Sequence, residues 1–230
     1  MTTAILEASS LTKTFGPTRA LDGVRLSVAA GESVAIMGAS GSGKTTLLHV
    51  LAGITAPDSG RVIFAPPTGV VDVTSLGERD RSRLRREQFG FVFQSGLLVP
   101  ELTAIENVAL ALMLNGTGRG EAEHQASGWL TALGLAGLED RRIGQLSGGQ
   151  AQRVAIARAQ VTGASVIFAD EPTGALDSHT STEVMDALLG STVGQGHTLV
   201  VVTHNDEVAA RCSRIIDMRD GRIVGERVPA

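Results

Sequence analysis

An α/β fold built on a mainly parallel sheet is what this sequence predicts, and three observations carry the prediction. Short apolar runs rich in β-branched residues recur along the chain. Stretches with helical spacing of apolar residues lie between them. One strand-to-helix junction is a glycine-rich loop, GASGSGKTT at 38–46. Strands that read as continuously apolar are buried on both faces, and their alternation with helices is the pattern of a sheet crossed by helices.

Taken in order, residues 4–28 read as shorter strands, followed by a buried strand at 33–37 (SVAIM) and a helix at 44–52. Residues 61–73, preceded by the turn-like PDSG, return to short strands, so the two stretches together suggest an antiparallel β piece. RDRSRLRRE at 79–87 carries five arginines with two acids mixed in, the signature of a solvated helix face. FGFVF at 89–93 is a second buried strand. The region 95–160 is mostly helical, with helices expected at 103–114, 121–133 and 147–161. Thr103 with Glu106, and Ser147 with Gln150, are spaced as capping boxes. NGTGRGEAEH at 115–124 reads as a loop between two of these helices. Strands at 165–169, 198–202 and 214–218 alternate with helices at 178–189 and 205–212, and the Asp-Gly pair at 220–221 suits a closing hairpin. There is no internal repeat and no linker. We therefore expect one domain over 1–230, with a core of 1–94 and 161–230 and an inserted helical piece at 95–160.

Composition bounds the partners. The chain has 230 residues, 43% of them hydrophobic, enough for a sizeable core. A net charge of −4 and an absence of tyrosine argue against nucleic acid, whose binders are usually basic and often stack bases on aromatics. The single cysteine, Cys212, excludes an intrachain disulfide and fits a reducing compartment. The start, MTTAILEASS, lacks the basic and apolar regions of a signal peptide, and the apolar run VALALML at 108–114 is too short to span a bilayer. Any membrane role is expected to run through a partner.

Gly38-Ala39-Ser40-Gly41-Ser42-Gly43-Lys44-Thr45 fits G-x-x-x-x-G-K-[ST], and Thr46 follows it into the helix. Glycines let backbone N–H groups turn inward around phosphate oxygens, and the helix start adds partial positive charge. Lys44 is expected on the β- and γ-phosphates and the Thr45 hydroxyl on Mg²⁺. VIFADEP at 166–172 is an apolar strand ending in two acids, where ligands of open α/β sheets bind. Asp170 is expected at the Mg²⁺. Glu171, the next residue along, points elsewhere and faces an attacking water. His204 ends another strand and is expected at the γ-phosphate, while Gln94 ends FGFVF and could ligate Mg²⁺ or orient water.

A second site raises a question of economy. QLSGGQ at 145–150 opens a helix with Ser147, Gly148, Gly149 and Gln150, a second arrangement able to hold an anion. It could be capped by Ser147 alone, or it could grip a phosphate held mainly by another molecule. GASGSGKTT, Gln94, LSGGQ, VIFADEP, ALD at 175–177 and His204 occur in the order found in ATP-binding cassette (ABC) ATPases, and the chain resembles that family over nearly its whole length. The resemblance implies a P-loop NTPase core of RecA-like type, hydrolysis of ATP with Mg²⁺, and a head-to-tail pair of cassettes. In such a pair the LSGGQ of one closes over ATP held by the P-loop of the other, which answers the question. It also implies that Phe15 stacks on adenine and that Asp177 belongs to a loop crossing to the partner's site.

Ala39, Thr45, Ala151 and Gly174 depart from the family's commonest residues without removing a phosphate, metal or base group. The stretch 85–116 and EPTGALDS resemble the cassettes of the lipoprotein-release, macrolide-export and cell-division branch, with a departure at Ser95-Gly96. Those cassettes serve a separate membrane permease, so the chain is expected as a peripheral subunit on the inner face of the membrane. The competing expectation is a soluble cassette ATPase of iron–sulfur assembly or DNA repair.

Overall fold

The computed structural model describes residues 3–229, so residues 1–2 and 230 of the expected domain lie outside the described residues. Two sheets organise them. The first is antiparallel, with order β2-β1-β4-β5, formed by β1 (Ala4–Phe15), β2 (Thr18–Ala29), β4 (Ser59–Phe64) and β5 (Val71–Asp72). The second has order β10-β9-β3-β8-β7-β6 and contains β3 (Ser33–Met37), β6 (Phe89–Phe93), β7 (Val166–Asp170), β8 (Thr198–Thr203), β9 (Arg214–Arg219) and β10 (Arg222–Arg227). All its pairings are parallel except the last hairpin, β9–β10. There Asp220 and Gly221 both take positive φ, 49° and 74°, as a tight hairpin turn demands.

Seven helices lie around the sheets among the described residues: α1 (Lys44–Leu51), α2 (Glu78–Gln88), α3 (Ala104–Met113), α4 (Arg119–Ala132), α5 (Gly148–Gln160), α6 (Ser178–Thr192) and α7 (Asp206–Ala209). The parallel strands feed two apolar clusters by simple alternation. Val34 and Ile36 of β3, with Val166 and Phe168 of β7, face a cluster shared with α1 and the antiparallel sheet. Ala35, Met37, Ile167 and Ala169 face the opposite cluster, shared with α3, α4 and α5. Successive side chains of a strand point to opposite faces, so one run of apolar residues supplies both. Phe89 ties the first cluster together, edge-on to Phe64 and Phe168 at 4.9 and 5.3 Å between ring centres.

Three expectations need correction. The N-terminal strands β1 and β2 are twelve residues each, not short, because polar residues on their exposed positions interrupt the apolar pattern without ending the pairing. The stretch 115–124 is not all loop, since α4 begins at Arg119. Burial of Ala122, Ala126 and Leu130 at i, i+4 and i+8, with an Arg119–Glu123 pair at 2.7 Å, carries the helix through a glycine-containing start. The helix expected at 205–212 is the single turn of α7, capped by the Asn205 side chain. Residues 79–87 do form a helix, α2, whose one buried side chain is Leu84.

Candidate functional site

The loop between β3 and α1 is a cradle that only glycine permits at two points. A Cβ on Gly38 would lie 2.3 Å from the Met218 carbonyl oxygen, and one on Gly43 would lie 2.2 Å from that of Ala20. Both residues take positive φ. The loop is thus clamped between β2 and β9. Lys44 is buried and donates from Nζ to the carbonyls of Gly38 (2.8 Å) and Ala39 (3.0 Å), so the lysine crosses the mouth of its own loop. The Ser42 hydroxyl is buried without a partner. An unsatisfied hydroxyl within such a cradle is the feature an anionic oxygen would complete.

A cavity of about 560 Å³ opens over this loop. Ser40, Gly41, Gly43, Lys44, Thr45 and Thr46 line it from one side, and Gln94, Glu171 and His204 from the other. The sheet order explains the meeting. β8 lies directly beside β3, β7 beside β8, and β6 beside β7, so the carboxyl ends of four parallel strands deliver Lys44, His204, Asp170–Glu171 and Gln94 to one rim.

Thr45 Oγ1 donates to Asp170 Oδ1 at 3.2 Å. Burial pushes the Asp170 carboxyl above its ordinary range, a shift that the Thr45 hydrogen bond partly opposes. A half-buried carboxylate and a hydroxyl, with the Gln94 amide lining the same cavity as Thr45, form a hard-oxygen donor set that suits Mg²⁺, which is usually held by one or two protein oxygens plus phosphate. Among the described residues no group of three or more histidines, cysteines or acids forms a metal cage of its own. The donors present therefore fit a cation carried in with a nucleotide.

Glu171 takes φ 47°, a left-handed conformation uncommon for a residue with a side chain. β7 has already ended at Asp170, so a backbone kink, rather than strand alternation, turns Glu171 away from its neighbour. Its N–H donates to the Val202 carbonyl (2.9 Å), and its Oε1 lies 2.9 Å from Nδ1 of the exposed His204. The carboxylate and the imidazole thus orient each other at the cavity rim. That pairing can hold a water and receive its proton.

The second helix start, expected to hold an anion, is elsewhere on the chain. Ser147 caps α5: the Gln150 N–H donates to Ser147 Oγ at 3.2 Å, and the Ser147 N–H donates to Gln150 Oε1 at 2.9 Å. Ser147 and Gly148 are exposed, with Gly148 and Gly149 at the helix start, where N–H groups have no partner within the helix. None of residues 147–150 lines the cavity over the first loop. Gly149 has a packing role as well, since a Cβ there would fall 2.4 Å from Thr180 Cγ2. Asp177 also lies outside the cavity and caps α6, accepting from the Thr180 N–H (3.0 Å) and hydroxyl (2.7 Å). Those bonds hold its carboxyl below the usual range. Phe15 stands 52% exposed at the end of β1, with Lys13 Nζ 5.4 Å from its ring centre. It does not line the cavity either, although Ala20, five residues on in the same hairpin, does.

Sequence reasoning missed four contributors. Ala20 lines the cavity and presses its carbonyl on Gly43; a backbone contact from a distant strand leaves no sequence signal. Gly174 packs against Gln94, and a Cβ there would meet Gln94 Nε2 at 2.9 Å. Gln152 of α5 binds the last residue of β6, and Arg158 binds the segment that follows it. Their place on the helix that Gln150 opens was visible, but their targets were not.

Comparison with known proteins gives a consistent result. The family described as "ABC transporter" matches residues 21–174. The pyoverdine export ATP-binding/permease protein PvdT of Pseudomonas fluorescens is 46% identical over 98% of this chain, which covers 34% of that protein. The chain thus spans about a third of the length of the curated relatives it matches. A dimeric structure of MJ0796, a bacterial ABC transporter cassette, superposes with a TM-score of 0.88 at 38% identity, covering 98% of this chain and 99% of that one. A dimeric post-hydrolysis state of the same cassette with ADP and Pi gives 0.86 at 37% identity, with the same coverage.

Proposed function

This chain belongs to the ABC transporter family as an ATP-binding, ATP-hydrolysing cassette, and from that premise we propose that its two anion sites are halves of two composite sites, completed when two copies meet head to tail. The observation that carries the reading is the separation of those sites. The cavity over the first loop has a base, a metal donor set and a lysine, but none of residues 147–150. A second chain supplies them. The exposed start of α5 offers N–H groups to the γ-phosphate end of the partner's nucleotide. Gly38 to Thr46 cradle the phosphates, Phe15 carries the adenine, and Asp177 stands at the seam between chains.

In each site Thr45, Asp170 and Gln94 would hold Mg²⁺, and the ion would supply positive charge to offset that of the triphosphate. Glu171 accepts a proton from water as the water oxygen attacks the γ-phosphorus. The bond to the ADP oxygen breaks, and ADP and phosphate result. His204 fixes the Glu171 carboxylate and reaches toward the γ-phosphate with its other nitrogen. Because ATP has more contacts in the pair than in one chain, nucleotide favours the pair by its difference in affinity for the two, at most about 2.7 kcal/mol per site at ~100 times its Kd for the pair, the limit in which a single chain binds none. Cleavage of the γ-phosphate withdraws that linkage, and the pair opens.

The opening and closing drive a membrane permease. Relatives named as export ATP-binding/permease proteins support an exporter. Among the described residues no helix is long and apolar enough to cross a membrane. We place the permease on a separate chain, of the lipoprotein-release, macrolide-export and cell-division kind, with this cassette on its inner face and residues 1–230 acting as one ATPase unit. The test of the composite site is Glu171→Gln, expected to bind ATP, turn over at least ~10² more slowly and accumulate as an ATP-bound dimer. A variant that stays monomeric with saturating ATP on a sizing column refutes it. Co-purification with a polytopic membrane protein tests the permease, and a chain that stays soluble and unaccompanied would favour the soluble-ATPase class instead.

A further inference from the structure

The segment after β6 is held in an unusual way. Gly96 and Leu97 take successive left-handed conformations, φ 68° and 45°, and Leu97 pays a steric cost there that glycine avoids. Leu97 is also 59% exposed, so apolar burial of its own side chain does not hold it. The restraint comes from α5. Arg158 donates from Nη1 to the Leu97 carbonyl and from Nη2 to the Gly96 carbonyl, both at 2.7 Å. Gln152 Nε2 donates to the Phe93 carbonyl at 2.9 Å, beside the Gly96 N–H that donates to the same oxygen.

Arg158 pairs with no carboxylate among the described residues, although burial disfavours its charge and lowers its pKa. Its two hydrogen bonds go to two loop carbonyls. A half-buried guanidinium left with those partners alone is spent on geometry, because truncating the loop would leave the charge unsatisfied. The approach of α5 to β6 is built in too: a Cβ on Gly90 would meet the Ala159 carbonyl oxygen at 2.3 Å.

Gln94 sits between these clamps. Phe93 on one side is held by Gln152, and Gly96–Leu97 on the other by Arg158. α5 is a 13-residue helix, about 20 Å long at 1.5 Å per residue, whose other end is Ser147 and its glycines. We propose that Arg158 is a positioning residue that sets the Gln94 side chain at the nucleotide cavity by pinning the loop behind it to α5. This rests on the ATPase reading above and extends it. The helix whose tip meets the partner's triphosphate is the same body that holds this chain's own Gln94, so engagement at one site is felt at the other.

The test is a double-mutant cycle on the 230-residue chain, using ATP turnover with Mg²⁺. Arg158→Met should lower kcat about tenfold, with ATP affinity in EDTA changed less than about twofold, because loss of alignment acts on the reacting geometry. Arg158→Lys, which restores one donor, should fall between. In a Gln94→Ala background, Arg158→Met should have almost no further effect, since residues acting as a unit are not additive. Hydrogen exchange should rise at 94–99 and not in β3 or β8, which separates a freed loop from general unfolding. An Arg158→Met loss that persists undiminished in the Gln94→Ala background, unchanged turnover in the single variant, or exchange raised across the whole sheet would each overturn the assignment. A wild-type chain without ATP turnover would refute the ATPase reading, and this inference with it.

Discussion

Gly149→Ala separates the packing role of Gly149 from the anion-binding role proposed for the LSGGQ glycines. Gly149 is not in the left-handed region, so the backbone itself accepts alanine. The obstacle is the Thr180 methyl, 2.4 Å from the new Cβ, against about 3.5–4.0 Å for an ordinary carbon contact. Overpacking of this kind costs ~1–3 kcal/mol. Replacing glycine by alanine within a helix returns roughly 0.5–1 kcal/mol, so the net loss is about 0–2.5 kcal/mol. Thr180→Ser removes the clashing methyl and keeps the hydroxyl that bonds Asp177. In that background the Thr180 Cβ is 3.9 Å from the new carbon, an ordinary contact, and Gly149→Ala should become neutral or slightly stabilising. The coupling between the two changes is then about 1–3 kcal/mol. At roughly 2–4 °C per kcal/mol for a chain of this size, a swing of about 2 kcal/mol moves the unfolding midpoint by some 4–8 °C. Scanning calorimetry of the four proteins of the cycle, without nucleotide, reads it. The N–H of residue 149 survives the substitution, so ATP turnover should recover in the double variant along with stability. A Gly149→Ala penalty that is the same in both backgrounds refutes the packing account. Recovered stability without recovered turnover refutes the claim that only the backbone N–H serves the anion.

Further outcomes are expected. Lys44→Ala should abolish tight ATP binding and loosen the loop whose Gly38 and Ala39 carbonyls it holds, read by titration calorimetry; micromolar binding with normal turnover would misplace the site. Asp170 holds its proton at higher pH than an ordinary aspartate, because burial disfavours its charge. Its folded pKa is raised, so its contribution to stability is complete below the unfolded pKa and is lost as pH rises through the folded one. Asp170→Asn should therefore raise the melting point of the nucleotide-free protein more at pH 8 than at pH 4, while Mg²⁺-dependent turnover disappears. An equal shift at both pH values would contradict it. Burial pushes the Cys212 thiol up to about 12, so a thiol reagent at pH 8 should label it only after denaturant is added. Labelling of the native protein at the rate of a free thiol would count against its burial.

The central strands were legible in the residues because burial on both faces forces continuous apolar runs. SVAIM, FGFVF and RIIDM appear as β3, β6 and β9 with boundaries within one residue of expectation. β1 and β2 were read as too short, since an antiparallel strand with one wet face mixes polar residues into its pattern. The capping boxes at Thr103 and Ser147 were equally readable, since a cap is a bond across three residues. The start of α4 was misread because its glycines lower helix propensity locally, while the contacts that offset them come from α3 and α5.

The sequence by itself determined which chemical groups this protein carries: the glycine loop, Lys44, the Asp170–Glu171 pair, Gln94, His204 and the Ser147 helix start. Each is encoded by neighbours within a few positions, so local rules suffice. Only the tertiary structure decided how they assemble. The order of strands brings Gln94, Glu171 and His204 to one rim while leaving Ser147 outside it. The Gly43–Ala20 contact and the grip of Arg158 on Gly96 and Leu97 span 23 and more than 60 positions of chain respectively. Such contacts are selected by how whole elements pack, and no periodicity or motif along the chain records which distant carbonyl a side chain will reach.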